Sequence, residues 1–146
     1  MRIKSLMTLL ALPMLAATFV ASAQNASPAG QWKTYDEETG KPRLIVEVYE
    51  AKGGTYAAKV LDTLFAPNAV CTDCKGDKKG KPIKGMVIMW GQKPNGDGTF
   101  SSGSVLKLSN GKTYSSKAEL QANGSKLQVS GCLGPICKHQ TWTREN

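Results

Sequence analysis

The chain has 146 residues and a formal net charge of +8, carried by 16 lysines and only three arginines. Arginine is the side chain that recognises phosphates and bases through two parallel hydrogen bonds, so this balance argues against nucleic-acid binding. Attraction to acidic polymers or anionic lipid surfaces of a cell envelope fits the charge, although solubility alone is the simpler explanation.

The amino-terminal residues 1–23 have the pattern of a secretory signal peptide. A basic start precedes an apolar stretch over 6–21, which ends in the small residues Ala21-Ser22-Ala23. We expect cleavage after Ala23, which leaves residues 24–146 as a single domain. The two positive charges of the leader are lost with it, so the net charge falls to +6.

We expect no membrane anchor. The apolar stretch is short, contains Pro13 and ends in small residues rather than in the charges of a stop-transfer segment. Lipid attachment would need a cysteine at the new amino terminus, where Gln24 stands. The predicted product is therefore a periplasmic or secreted protein.

The remaining chain has the periodicity of an all-β protein. Short β-branched or apolar runs alternate with turn signals, and no segment has a sustained helical repeat. Asn110-Gly111 and Asn123-Gly124 are strong hairpin signals because both residue types tolerate positive φ. The predicted strands are 31–36, 43–51, 55–61, 83–90, 99–108, 112–121, 125–131 and 138–144.

Eight strands in meander order predict a closed antiparallel barrel, because closure removes the exposed edges of an open sheet. A two-sheet β-sandwich is the alternative. The interior of an eight-stranded barrel is either filled by side chains or holds one small ligand. The fold class therefore allows a binding function without requiring one.

The two ends of this strand series resemble those of the lipocalin and wider calycin group. Gly30-Gln31-Trp32 stands on the first predicted strand and Thr141-Trp142-Thr143-Arg144 on the last. The resemblance implies that Arg144 lies over Trp32 at the closed end of the barrel. A guanidinium over an indole face gains about 0.5 to 2 kcal/mol.

The chain after the leader also resembles a secreted bacterial family, domain of unknown function 2147. Four blocks carry the likeness in one order: GQWKTYDEETGKPRLIVEVYE, CTDCKGDKKGKPIKGMVIMWG, NGKTYSSKAEL and LQVSGCLGPICKHQTWTR. The resemblance implies a small barrel-like envelope protein, and it carries over no catalytic residue and no cofactor.

Four cysteines form two clusters, Cys71 with Cys74 and Cys132 with Cys137. An exported chain meets an oxidising compartment, so we expect two disulfides. Local pairs stabilise by about 2 kcal/mol each, whereas bridges between the clusters close longer loops and stabilise by about 4 kcal/mol. We favour the local pairs because neighbours in sequence meet first, and the other two connectivities stay open.

Two further functions of the cysteines stay open. Four thiolates can bind zinc, but the second spacing is wide and the compartment favours oxidation. A thiol–disulfide enzyme could use Cys71 and Cys74, although they lack the helix start or βαβ pattern of such enzymes. His139 would pair catalytically with Cys137 only if that cysteine were a free thiolate.

A basic loop and an apolar strand are the other candidates. The loop predicts an anion-binding rim, unless its charges serve solubility alone, through Lys75, Lys78, Lys79, Lys81 and Lys84. The strand is apolar on both faces, so its outer face is either covered or exposed as a patch for a partner, with Met86, Ile88 and Trp90 as the patch residues.

The sequence shows no catalytic constellation. Asp36-Glu37-Glu38 is interpreted as surface charge in a hairpin turn, and we find no nucleophile with a base, no phosphate loop and no open metal site. We predict a non-enzymatic exported barrel without cofactor or metal that binds a small apolar or anionic envelope ligand. The alternatives are a periplasmic redox protein using Cys71 and Cys74, or an envelope structural or interaction protein.

Overall fold

The computed structural model describes residues 26–145, which form a closed barrel of eight antiparallel strands in meander order. The predicted fold class is confirmed, and the predicted signal peptide lies outside the described residues. Short 3-10 turns occupy Lys52–Gly54, Gly76–Lys78 and Ala122–Gly124. The strands are β1 (Gly30–Tyr35), β2 (Pro42–Glu50), β3 (Tyr56–Thr63), β4 (Val87–Pro94), β5 (Thr99–Lys107), β6 (Lys112–Gln121), β7 (Lys126–Leu133) and β8 (Ile136–Glu145).

The barrel interior follows from the period-two pattern of the strands. In β2 the buried Leu44, Val46 and Val48 alternate with residues that keep partial exposure. Val46 stands opposite Trp32 of β1 and Val60 of β3, and all three are at most 1% exposed. Inward residues of adjacent strands therefore lie side by side and form the core.

Meander order divides the connections between two ends of the barrel. The turns 36–41, 108–111 and 134–135 and the long loop 64–86 lie at one end, which we call the mouth. The turns 51–55, 95–98 and 122–125 lie at the other, the closed end, where the chain also enters β1 and leaves β8. Within residues 26–145, no helix is long and apolar enough to cross a membrane.

The closed end is sealed by Arg144 and Trp32. The Arg144 guanidinium lies 4.3 Å from the centre of the Trp32 ring, and the two residues are partners in the β1–β8 ladder. Trp32 is fully buried, and its Nε1 donates to the carbonyl of Pro28 at 2.8 Å. Arg144 donates to three more carbonyls at 2.7 to 2.9 Å, those of Gly124, Ala29 and Ser27.

Gly30 makes room for this arginine. Its φ of +131° lies in a region that favours glycine, and a Cβ there would come within 2.9 Å of the Arg144 guanidinium. The Gly-x-Trp pattern on the first strand therefore has a local physical reason. The arrangement is the one that the lipocalin resemblance implies.

Of the two alternatives for the fourth strand, the exposed apolar patch is wrong and the covered one holds. The strand runs over Val87–Pro94 rather than 83–90, and Met86 and Ile88 are buried, with 9% and 5% exposure. The pairing of β3 with β4 is irregular on both sides of Ala58, so strict in-and-out alternation fails there. Trp90 is half-buried, and the Lys78 ammonium lies 5.0 Å from the centre of its ring.

The last hairpin is longer than predicted. Strands β7 and β8 continue to Leu133 and from Ile136, so only residues 134–135 form the turn. Cys132 and Cys137 therefore stand directly opposite each other in the ladder. Four of the six residues expected as a connection between the strands, 132, 133, 136 and 137, are therefore part of the sheet.

Loss of the Arg144 side chain should destabilise the barrel. We expect Arg144→Leu to lower the free energy of unfolding by about 2 to 3 kcal/mol, because it removes the cation–π contact and three hydrogen bonds to backbone carbonyls. Arg144→Lys should recover only part of the loss, since a single ammonium cannot bond three separated carbonyls. Urea denaturation measures both.

Lys33→Gln is the matched control for Arg144. Lys33 forms an exposed ion pair with Glu145 across the same two strands, at 2.6 Å. Exposed pairs contribute little, so this variant should unfold close to the wild type. Equal losses for Lys33→Gln and Arg144→Leu would contradict the sealing role of Arg144.

Gly103 is close-packed against a buried amide. A Cβ at Gly103 would lie 2.5 Å from the side-chain amide of Gln92, which is 1% exposed and donates to Ser116 Oγ at 2.7 Å. Gly103→Ala should therefore lower the free energy of unfolding, measured by urea denaturation, by about 1 to 3 kcal/mol. The same substitution in a Gln92→Ala background should cost clearly less, and equal costs in both backgrounds would refute the proposed clash.

Candidate functional site

A cavity of about 560 Å³ opens at the mouth of the barrel. Small-molecule sites span roughly 300 to 1,000 Å³, so this cavity is large enough for one such ligand. Its apolar wall comes from five strands, β2, β4, β5, β7 and β8, through Leu44, Ile88, Val105, Leu106, Val129 and Trp142. The large side chains Trp32, Phe100 and Leu127 belong to the core and do not line the cavity.

The polar groups within this wall bind one another. Trp142 Nε1 donates to Gln140 Oε1 at 2.6 Å, and Gln140 Nε2 donates to the carbonyl of Tyr35 at 2.9 Å. The Gln140 amide is thus held between β8 and the end of β1. An apolar ligand would leave these bonds intact, so no buried donor would lose its hydrogen-bond acceptor.

Charged residues at the entrance are arranged mostly as ion pairs. Arg43 lies 3.4 Å from Asp36, and Lys107 lies 3.1 Å from Glu37. The backbone N–H and the hydroxyl of Thr39 donate to Asp36 and hold the pKa of that carboxyl below its usual range. Asp36 therefore stays ionised in its hairpin turn, and the paired charges largely cancel.

Glu38 and Lys138 also line the entrance, and neither belongs to an ion pair within residues 26–145. They place one charge of each sign on the rim. The rim can therefore contact a polar or charged head group of either sign. It lacks the concentration of positive charge that a dedicated anion site inside the cavity would have.

Both cysteine clusters lie at the mouth, and each forms a local disulfide. Cys71 is bonded to Cys74 in the long loop, and Cys132 to Cys137 across the β7–β8 hairpin. Cys74 and Cys132 also line a second groove, of about 700 Å³, outside the cavity. With every sulfur in a disulfide, the four-thiolate zinc hypothesis fails.

The basic loop is folded back on itself beside the first disulfide. The N–H of Cys71 donates to the carbonyl of Lys81 at 2.9 Å, and the carbonyl of Cys71 accepts from the N–H of Gly80 at 2.8 Å. Val70 and Pro82 form an isolated antiparallel bridge. Four of the candidate lysines are exposed, namely Lys75, Lys79, Lys81 and Lys84. The candidate anion-binding rim is thus an ordered, basic loop surface, and only Lys75 and Lys78 reach the second groove.

His139 lies beside a serine rather than a reactive cysteine. Its Nδ1 is 2.6 Å from the Oγ of Ser130, its partner in the β7–β8 ladder. Within residues 26–145 no carboxylate hydrogen-bonds to this imidazole, so the pair lacks the orienting group of a nucleophilic triad. The described part of the chain also has no cluster of His, Cys, Asp or Glu that could hold a metal.

Sequence reasoning missed two sets of residues at the mouth. Gln140 and Trp142 line the cavity, although Trp142 was noted only as part of a motif. Leu133 and Ile136 flank the last turn and are 73% and 72% exposed. Large apolar residues on both sides of a Gly-Pro turn are the signal that could have drawn attention to them.

Comparison with known proteins agrees with this architecture. Residues 30–144 match the family described as "Uncharacterized protein conserved in bacteria (DUF2147)". The solved structure of protein HP1028 from Helicobacter pylori, described as belonging to the lipocalin family, superimposes with a TM-score of 0.72. The two chains are 20% identical, and the match covers 83% of this chain and 84% of the other.

At that identity the likeness to HP1028 concerns the fold. No curated protein sequence matches the chain significantly. Both resemblances drawn from the sequence are confirmed, since the family match spans most of the chain and the barrel is lipocalin-like. The chain therefore belongs to the bacterial DUF2147 family of uncharacterised proteins.

Proposed function

We propose that the protein is a non-enzymatic binding protein that holds one small ligand with an apolar body in the mouth cavity. The single observation that carries this proposal is the half-open apolar cavity itself, which remains after the closed end has been filled by Trp32 and its neighbours. Apolar walls with a few placed polar groups are the usual composition of a small-molecule site.

The walls and the rim restrict the ligand class. The apolar part of a ligand would lie against Leu44, Val129 and Trp142. There the ligand would exchange contact with water for contact with apolar side chains. Its polar part would remain at the entrance near Glu38 and Lys138. A linear or compact amphiphile satisfies both conditions, and an acyl chain with a carboxylate is a suitable probe.

The disulfides support an extracytoplasmic location for such a ligand. Two disulfides in one small domain are typical of oxidising compartments. Together with the predicted signal peptide, they support an exported protein that binds its ligand in the periplasm or outside the cell. The ligand would then be a component of the envelope or of the medium.

Burial of the sulfurs argues against the redox alternative. Cys71 and Cys74 are each 2% exposed, and Cys132 is 7% exposed. Disulfide exchange proceeds by attack of an outside thiolate on one sulfur, which requires access to it. A structural role for both disulfides at the mouth accounts for their positions, and it requires no redox reaction.

Filling the cavity with a larger side chain should weaken ligand binding. We expect cis-parinaric acid, a fluorescent acyl chain with a carboxylate, to bind the exported protein with increased emission. Val105→Trp places an indole in the cavity wall and should weaken binding at least about tenfold, because lost burial of a few methylene groups already costs that much. Fluorescence titration measures the affinity.

Val87→Trp is the control for this experiment. Val87 lies on the neighbouring strand β4, is half-buried, and does not line the cavity. The control should keep the wild-type affinity, and circular dichroism should show both variants folded. Equal affinities for the two variants would place the probe elsewhere and contradict the proposed site.

The disulfides should resist mild reductant in the folded protein. After treatment with dithiothreitol and iodoacetamide, mass spectrometry should find no alkylated cysteine under native conditions and four in concentrated urea. The reason is burial of Cys71, Cys74 and Cys132, which leaves at least one buried cysteine in each disulfide. A pair that is alkylated in the native protein, together with turnover of a disulfide substrate, would support the redox alternative instead.

A further inference from the structure

The large apolar side chains that are exposed within residues 26–145 are concentrated at one end of the barrel. Each belongs to a mouth connection or to the strand end beside it, and none lies at the closed end: Leu64, Phe65, Val70, Leu133 and Ile136. Single exposed apolar residues are ordinary when scattered. Their concentration around one opening marks an interaction surface.

These side chains stand on opposite sides of the mouth. Leu133 and Ile136 form the tip of the β7–β8 hairpin, where they also line the cavity entrance. Leu64 and Phe65 follow directly after β3, which lies four strands from β7 and three strands from β8 in the closed barrel of eight. A partner that contacts both sets must therefore lie across the opening rather than against one wall.

Positive charge accompanies the apolar residues. The long loop 64–86 contains five lysines against the two acids Asp73 and Asp77, and four of the lysines are exposed. The disulfide and the bonds between Cys71 and Lys81 hold these lysines at the mouth rather than on a free tail. The nearby acids Asp36 and Glu37 are already paired with cations.

We propose that the mouth docks on the surface of an anionic phospholipid bilayer. The tip residues Leu133 and Ile136 enter the boundary between headgroups and acyl chains, and the exposed lysines of the 64–86 loop contact lipid phosphates. Apolar insertion combined with a basic patch is the two-part signal that holds proteins reversibly on membranes. Docking in this orientation turns the cavity entrance toward the bilayer.

A bilayer explains the surface better than an acidic polymer does. A polymer would need the lysines alone and would leave the exposed side chains of Leu133 and Ile136 in water. A membrane uses both, because its headgroup region is charged and its interior accepts apolar side chains. The docking proposal does not depend on ligand binding in the cavity.

The test is co-sedimentation of the exported protein with vesicles of phosphatidylcholine, with or without phosphatidylglycerol. Mass spectrometry of the purified protein checks that every variant has the same amino terminus. We expect binding to the anionic vesicles and little to the neutral ones. High salt should weaken the binding strongly, because surface charges are screened within about 3 Å at 1 M salt.

Three variants separate the two contributions. Leu133→Ser with Ile136→Ser should weaken binding at least about tenfold through lost apolar insertion. A quadruple Lys→Gln variant at 75, 79, 81 and 84 should weaken it by at least the same factor through lost contacts with anionic lipid. A second quadruple Lys→Gln variant, at the exposed positions 52, 93, 117 and 126 away from the mouth, removes the same charge and should keep most of the affinity.

Several results would overturn the docking proposal. Equal losses for the two lysine variants would show that net charge rather than the mouth decides binding. Unchanged binding of the serine variant, with competition by soluble dextran sulfate, would identify an acidic-polymer surface instead. Val105→Trp should bind vesicles normally, so failure of the cavity proposal and failure of the docking proposal give different results.

Discussion

Closure of the sheet between β8 and β1 is the constraint on which the other features depend. The two strands meet where Arg144 stands opposite Trp32, and the arginine also binds three carbonyls of the segment before β1 and of the β6–β7 turn. One side chain thus ties the start of the first strand and the end of the last strand to a turn between them. Because this end is filled and sealed, the remaining interior space opens only toward the mouth.

The two ends of the barrel differ in what they contribute. The closed end is held by short turns and by a buried tryptophan, whereas the mouth has the long 64–86 loop, both disulfides, the exposed apolar side chains and the cavity entrance. A long connection is normally mobile. Here the Cys71–Cys74 disulfide and the Val70–Pro82 bridge order it, so its lysines form a surface of definite shape.

Prediction from sequence succeeded where a residue's environment is local. The alternation of Leu44, Val46 and Val48 depends only on strand periodicity, and the hairpin at Asn110-Gly111 depends only on backbone preference, so both were found. It left the exposure of Met86 and Ile88 open, because a strand that is apolar on both faces does not show which face another part of the chain covers. It also gave no sign of the irregular pairing on both sides of Ala58. An irregularity in a ladder depends on the partner strand, which the local sequence does not show.

The sequence by itself determined the strand order, since this follows from periodicity and turn chemistry, and it favoured a closed barrel over a β-sandwich. The family and the residues that seal one end are what its resemblances to known families imply. The sequence also indicated disulfides, because a chain with four cysteines and a predicted signal peptide is expected in an oxidising compartment. Only the tertiary structure decided that the cavity stays open beside Trp142 and that Leu133, Ile136 and the basic loop share one end. The physical reason is that cavities and surfaces are made by residues distant in sequence, whose meeting is set by how the closed sheet packs.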